Sequence, residues 1–134
     1  MLQVAPMAIG GIRVLVADGN REWRAIISRT LTPECQVVGQ VDRGDDLLAA
    51  ANLLQPDVIT LEVSMPGCSG LRDLPAIRAA MRDVIIIVIS VTLTPIYIEE
   101  ALSRGADSYI AKSHVLAELM PAIIAGRRQA EQLG

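Results

Sequence analysis

Cysteine is scarce. Cys35 and Cys68 are too few for a disulfide framework, so reduced thiols with packing roles are expected. Long apolar runs are missing too: none approaches the roughly 20 residues that a membrane span needs. Residues 1–11 are apolar but have no basic residue ahead of them, and Pro6, Gly10 and Gly11 break the run. They read as a tail preceding a domain at 12–132 rather than as a signal peptide, which makes the cytoplasm the expected location. Positive charge is sparse: Lys112 is the only lysine, beside eleven arginines, and the formal net charge is −3. That balance gives no reason to expect nucleic acid or a membrane as a direct partner. His114 is the only histidine and is expected to be solvated. No glycine-rich phosphate loop, catalytic triad or metal-spaced Cys/His cluster occurs. Internal repeats and low-complexity segments are absent as well.

What is present is a globular composition, 51% hydrophobic and 20% charged, in a length that suits one domain. Ile12 to Ala17 reads as a strand ending at Asp18-Gly19. Asn20 is placed to cap a helix whose Trp23, Ile26, Ile27, Thr30 and Leu31 recur at helical spacing. A strand over Gln36 to Val41 and a helix over Asp45 to Gln55 follow. Pro56 stops that helix, and the aliphatic run after Asp57 reads as a buried strand with Glu62 at its carboxyl end. A helix over Leu71 to Arg82 must start late or kink at Pro75. Val84 to Ile89 has no polar face, so it predicts a strand covered on both sides and ending at Ser90. Pro95 to Arg104 predicts a helix closed by Gly105, and Asp107 to Ala111 a fifth strand ending at Lys112. The last helix runs toward Gln132, with a kink or delayed start expected at Pro121. Five strands alternating with five helices predict an α/β fold with a parallel sheet and right-handed crossovers.

From Ile12 to Arg127 the chain resembles bacterial response-regulator receiver domains. The residues that carry the resemblance are Asp18-Gly19 after the first strand, Glu62 and Met65-Pro66-Gly67 after the third, Ser90 after the fourth, and Gly105 to Tyr109 with Lys112 around the fifth. Any one of these is weak; together, in order and at family spacing, they are strong. The resemblance implies a flavodoxin-like (βα)5 doubly wound sheet in the order 2-1-3-4-5. It also implies that Glu62 stands at the phosphoacceptor position, where the family has Asp, and that Gly19 replaces half of an acidic pair. Ser90 and Tyr109 fall at the switch positions, and Lys112 at the family lysine. The closest flavour is that of receivers preceding LuxR-type helix-turn-helix outputs. The run from Pro56 to Met65 and that from Ser90 to Thr94 also look like the regulatory half of chemotaxis methylesterases. The expectation is therefore a receiver alone, either a stand-alone adaptor or a domain excised from a longer chain.

Phosphoryl transfer to a carboxylate needs a divalent cation, and magnesium takes hard oxygen ligands in near-octahedral geometry. Asp18, Glu62 and the Ser64 carbonyl are what this sequence offers: a thin metal site, so no cofactor is expected and any magnesium would be held weakly. Glu62 displaces the remaining carboxylate by one methylene, and Val91 is expected to narrow access for a phosphodonor. Three outcomes stay open: an inert site, residual phosphorylation, or constitutive mimicry through a Glu62–Lys112 ion pair or a Glu62–Ser90 hydrogen bond. A flavin-binding alternative finds no support in the loop after the first strand. The expectation is a non-enzymatic interaction module whose partners are proteins, such as a sensor kinase or an output domain. Ile96, Tyr97, Tyr109 and the stripe Val115/Leu116, Leu119/Met120, Ile123/Ile124 serve either the core or a homodimer.

Overall fold

The computed structural model describes residues 11–31, 33–67 and 70–133. The expectations for Cys68 and for the tail ahead of Gly11 lie outside the described residues. Five strands, β1 (Ile12–Ala17), β2 (Cys35–Val41), β3 (Val58–Leu61), β4 (Ile85–Ser90) and β5 (Ser108–Ala111), alternate with five helices. The helices are α1 (Arg21–Thr30), α2 (Leu47–Leu54), α3 (Leu74–Ala80), α4 (Pro95–Ser103) and α5 (Val115–Leu133). All strand pairs are parallel, in the order β2-β1-β3-β4-β5.

Side chains alternate across a strand, so the central strands feed two cores. Leu15, Ala17, Ile59, Leu61, Ile86 and Val88 face Leu47 and Ala51 of α2, Leu74 and Ile77 of α3, and Ala101 of α4. Val14, Val16, Val58, Ile85, Ile87 and Ile89 face Ile27 of α1 and Val115, Leu119 and Ile123 of α5. This explains why β3 and β4 carry no polar stripe: both of their faces are covered. Among the described residues, no helix is long and apolar enough to cross a membrane.

The helix boundaries differ from the sequence expectation where short 3₁₀ turns intervene. Gly44–Asp46, Gly70–Asp73 and Lys112–His114 each form such a turn ahead of a helix. Pro75 then occupies the first turn of α3, where its missing N–H is harmless. Pro121 delays nothing. The helix α5 starts at Val115 and runs through it. One intrahelical bond is lost there, and the burial of Leu119 and Ile123 on either side holds the turn in place.

Helix α4 closes as a Schellman motif: Ala106 N–H donates to the Ala101 carbonyl at 3.0 Å and Gly105 N–H to that of Leu102 at 3.2 Å. Gly105 has φ +124°, and a Cβ there would lie 3.2 Å from Arg78 Cβ. The Arg78 guanidinium in turn donates to the Gly105 and Val84 carbonyls and pairs with Asp107 at 2.7 Å. Gly105→Ala is therefore expected to lower unfolding free energy by about 1–3 kcal/mol, measured by urea denaturation. A cost within 0.5 kcal/mol, roughly what an ordinary surface change gives, would contradict it.

Candidate functional site

The strand register sets the site. Ala17 pairs with Leu61, Leu61 with Val88, and Ser90 with Ala111, so β1, β3, β4 and β5 end at one edge. Asp18, Glu62, Ser90 and Lys112 lie at those ends, and Glu62 N–H donates to the Ala17 carbonyl at 3.0 Å. An open parallel sheet presents functional groups at this carboxyl edge.

Lys112 is the centre of the arrangement. Its Nζ lies 2.9 Å from Asp18 Oδ2 and 2.9 Å from Glu62 Oε1, and the lysine is only 7% exposed. The remaining carboxylate oxygens are held by backbone: Asn20 N–H donates to Asp18 Oδ1 at 2.8 Å, and Ser64 N–H to Glu62 Oε2 at 3.2 Å. Asp18 Oδ2 makes no well-angled hydrogen bond and is balanced by the Lys112 charge instead. Trp23 covers the ammonium, with Nζ 5.0 Å from the ring centroid, a distance suited to a cation–π contact. Asn20 places that ring by capping α1 through Trp23 N–H at 2.9 Å. Arg24 adds a donor to the Asp18 carbonyl at 2.9 Å.

Ser90 and Tyr109 form a separate pair beside this cluster. Ser90 is fully buried, and its hydroxyl accepts from Thr92 N–H at 3.2 Å rather than meeting Glu62. The Tyr109 hydroxyl donates to the Thr92 carbonyl at 2.6 Å. Burial pushes the Tyr109 phenol above its usual range; a hydrogen-bond interaction with Ser90 opposes this, and the charges of Glu62 and Tyr97 add to it. Val91 is exposed next to Ser90 and is not among the residues that line the cleft. His114 is exposed beside Ser113. Burial raises the Cys35 thiol, with Glu34 reinforcing and Arg127 opposing, in keeping with an unreactive packed cysteine.

A family model described as the response regulator receiver domain matches residues 14–124. The chain belongs to that family. It is 36% identical over 122 residues to the response regulator GacA of Pseudomonas viridiflava, covering 87% of this chain and 57% of that protein. A protein-glutamate methylesterase/protein-glutamine glutaminase of a Nocardioides species is 37% identical over 107 residues, 76% of this chain and 29% of its own length. Among solved structures, the response regulator domain of Thermotoga maritima CheB superposes with a TM-score of 0.73 at 29% identity, covering 89% of this chain and 95% of that one. This receiver thus spans little more than half of one curated relative and under a third of the other.

Receivers of this design imply magnesium, and the residues here do not fit it. The cleft between the strand ends, about 250 Å³, is lined by Asp18, Gly19, Asn20, Glu62, Ser64, Met65, Pro66 and Lys112. Its two carboxylates both face Lys112. Among the described residues, no three His, Cys, Asp or Glu side chains are grouped to hold a metal ion. A Cβ at position 19, where the resemblance puts the second acid of a pair, would sit 2.7 Å from Pro66 Cδ.

The sequence placed Asp18, Glu62, Ser90 and Lys112 at one edge; Asp18, Glu62 and Lys112 line this cleft together with Gly19 and Ser64, whereas Ser90 does not. It assigned Trp23 to core packing alone and gave Pro66 no role at the site. The signal for Trp23 was its position three residues after the capping Asn20, in the first turn beyond β1. Removing one partner of a buried ion pair leaves uncompensated charge, so Lys112→Met should cost about 3–5 kcal/mol at neutral pH in chemical denaturation. The triple variant Asp18→Asn/Glu62→Gln/Lys112→Met should recover most of that loss. A cost below about 1 kcal/mol, the range of exposed pairs, would contradict the buried assignment.

Proposed function

We propose that this receiver is a non-catalytic regulatory module of two-component signalling that acts through protein contacts without being phosphorylated. The observation that carries the reading is the pairing of Lys112 with both Asp18 and Glu62 at 2.9 Å. The carboxylate at the acceptor position and the lysine that would steady an incoming phosphoryl group are already engaged with each other. Phosphorylation of Glu62 would replace its single negative charge with roughly −1.5 to −2, beside the Asp18 carboxylate and one ammonium. Of the two contacts that would imitate an activated state, the Glu62–Lys112 ion pair is made, whereas Ser90 is turned to Thr92. Constitutive pairing of Glu62 thus has partial support as a fixed signal.

The partners in this reading are proteins: a sensor kinase, an output domain or a second copy of the chain. Val115, Leu119 and Ile123 of the α5 stripe are buried in the core, and Met120 is half-buried beside Cys35. Leu116 at 78% exposed and Ile124 at 44% remain outward, with Ile96 and Tyr97 on α4, as apolar contact residues. The methylesterase relative keeps open a second reading, a regulatory domain for an attached hydrolase.

Incubation with a small phosphodonor and Mg²⁺, followed by intact mass, tests the proposal. No phosphoryl adduct is expected on the wild type. A labile adduct that forms readily and disappears in Glu62→Gln would replace this reading with that of a working phosphoacceptor.

A further inference from the structure

Lys112 has a third partner besides its two acids. An ammonium carries three N–H donors and no acceptor, so the two carboxylates at 2.9 Å leave one side of it to be met. The Trp23 ring meets it. Nζ lies 5.0 Å from the ring centroid, within the roughly 6 Å over which an aromatic face attracts a cation. Lys112 lines the cleft and Trp23 does not, so the ring backs the lysine away from the cleft and leaves the cleft open.

Asn20 ties this ring to the acids. Its backbone N–H donates to Asp18 Oδ1 at 2.8 Å, and its side chain accepts from Trp23 N–H at 2.9 Å. The contacts close on themselves: Lys112 to Asp18, Asp18 to Asn20, Asn20 to Trp23, and Trp23 back to Lys112. Arg24, the neighbouring cation on the same turn, is held on the Asp18 carbonyl at 2.9 Å. Trp23 also packs against the apolar layer that holds Ile27, Val115 and Leu119, a task open to any large apolar residue. The ammonium, by contrast, responds to the π face, and among side chains indole offers the best one.

We propose that Trp23 is a positioning residue for Lys112: its indole face keeps the ammonium on both carboxylates, and the Asn20 bridge sets the ring. This rests on the Lys112 pairing that carries the phosphorylation-independent reading, and adds the residue that keeps that pairing closed. Without the π face the lysine leaves its acids more often, while the fold persists.

Lys112 is the only lysine, so acetylation of a side-chain amine reports on it alone. The folded chain is treated with the N-hydroxysuccinimide ester of acetic acid, with Nα-acetyl-lysine in the same solution as reference amine, and the adduct is located by peptide mass. Trp23→Leu, which keeps apolar bulk, should acetylate about tenfold or more faster than wild type, whereas Trp23→Phe, which keeps a π face, should stay within about threefold of it. Asn20→Ala should also speed acetylation, and Asn20→Ser, which retains a capping oxygen, should not. Equal rates in the Leu and Phe variants overturn the proposal and reduce Trp23 to packing. A second measurement needs no change at Trp23. It is the only tryptophan, and its emission should shift when the charges are removed in Asp18→Asn/Glu62→Gln/Lys112→Met; an unchanged spectrum also overturns the proposal. Wild-type Lys112 reacting as fast as the reference amine overturns instead the buried pairing beneath it, so the two failures are distinct.

Discussion

Three ionisable side chains share one water-poor spot at the carboxyl edge of the sheet, and only one of them is a base. Lys112 faces two carboxylates at equal distance, beneath an indole ring. Each attraction amounts to about 4 kcal/mol for charges 4 Å apart at the effective dielectric typical near a protein surface. Against this stand the desolvation of three groups, several kcal/mol each, and the repulsion between Asp18 and Glu62. The balance sits near zero, so the cluster specifies an arrangement more than it stabilises the fold. Stability comes from elsewhere, chiefly from the two apolar layers that cover β1, β3 and β4 on both faces.

That division of labour follows from the sheet. A parallel sheet buried on both sides tolerates few polar groups along its strands, so charge gathers where the strands stop. The register makes β1, β3, β4 and β5 stop together, which brings residues 94 positions apart in sequence, Asp18 and Lys112, into contact. The opposite edge has its own devices. Asp57 accepts from Arg13 N–H at 2.8 Å, and Asp107 accepts from Ile86 N–H at 2.8 Å while pairing with Arg78. These acids satisfy backbone donors at strand starts and serve the architecture; those at the other edge face a cleft.

Much of this was readable from the residues, because strand and helix periods are local properties. The unbroken apolar run from Val84 to Ile89 announced a doubly covered strand, and Gly105 announced a helix end with left-handed geometry. Strand order was not local and came through the family resemblance. Of the two expectations for Pro121, the delayed start fails, since the helix begins at Val115 and continues through that residue. Near the site, sequence gave the side chains at the strand ends but not their partners. Whether Glu62 meets Ser90 or Lys112 depends on side-chain torsions, and the hydroxyl turned to Thr92 instead. The approach of Pro66 to Gly19 joins two loops 47 residues apart, and no periodicity reports it.

Glu62, which the family resemblance puts at the acceptor position, is best understood together with these neighbours. A longer arm alone would leave a mobile carboxylate free to find a cation. Here both of its oxygens are fixed, one by Lys112 and one by Ser64 N–H. Attaching a phosphoryl group to either oxygen would require one of those contacts to be remade. Arg24 brings a second positive charge nearby, but its guanidinium is held on the Asp18 carbonyl rather than opening toward the cleft. In the proposed reading, the residues that carry information outward are those on the surface. Leu116 and Ile124 on α5 and Ile96 and Tyr97 on α4 meet that description. In that reading, a signal through them depends on which protein is bound.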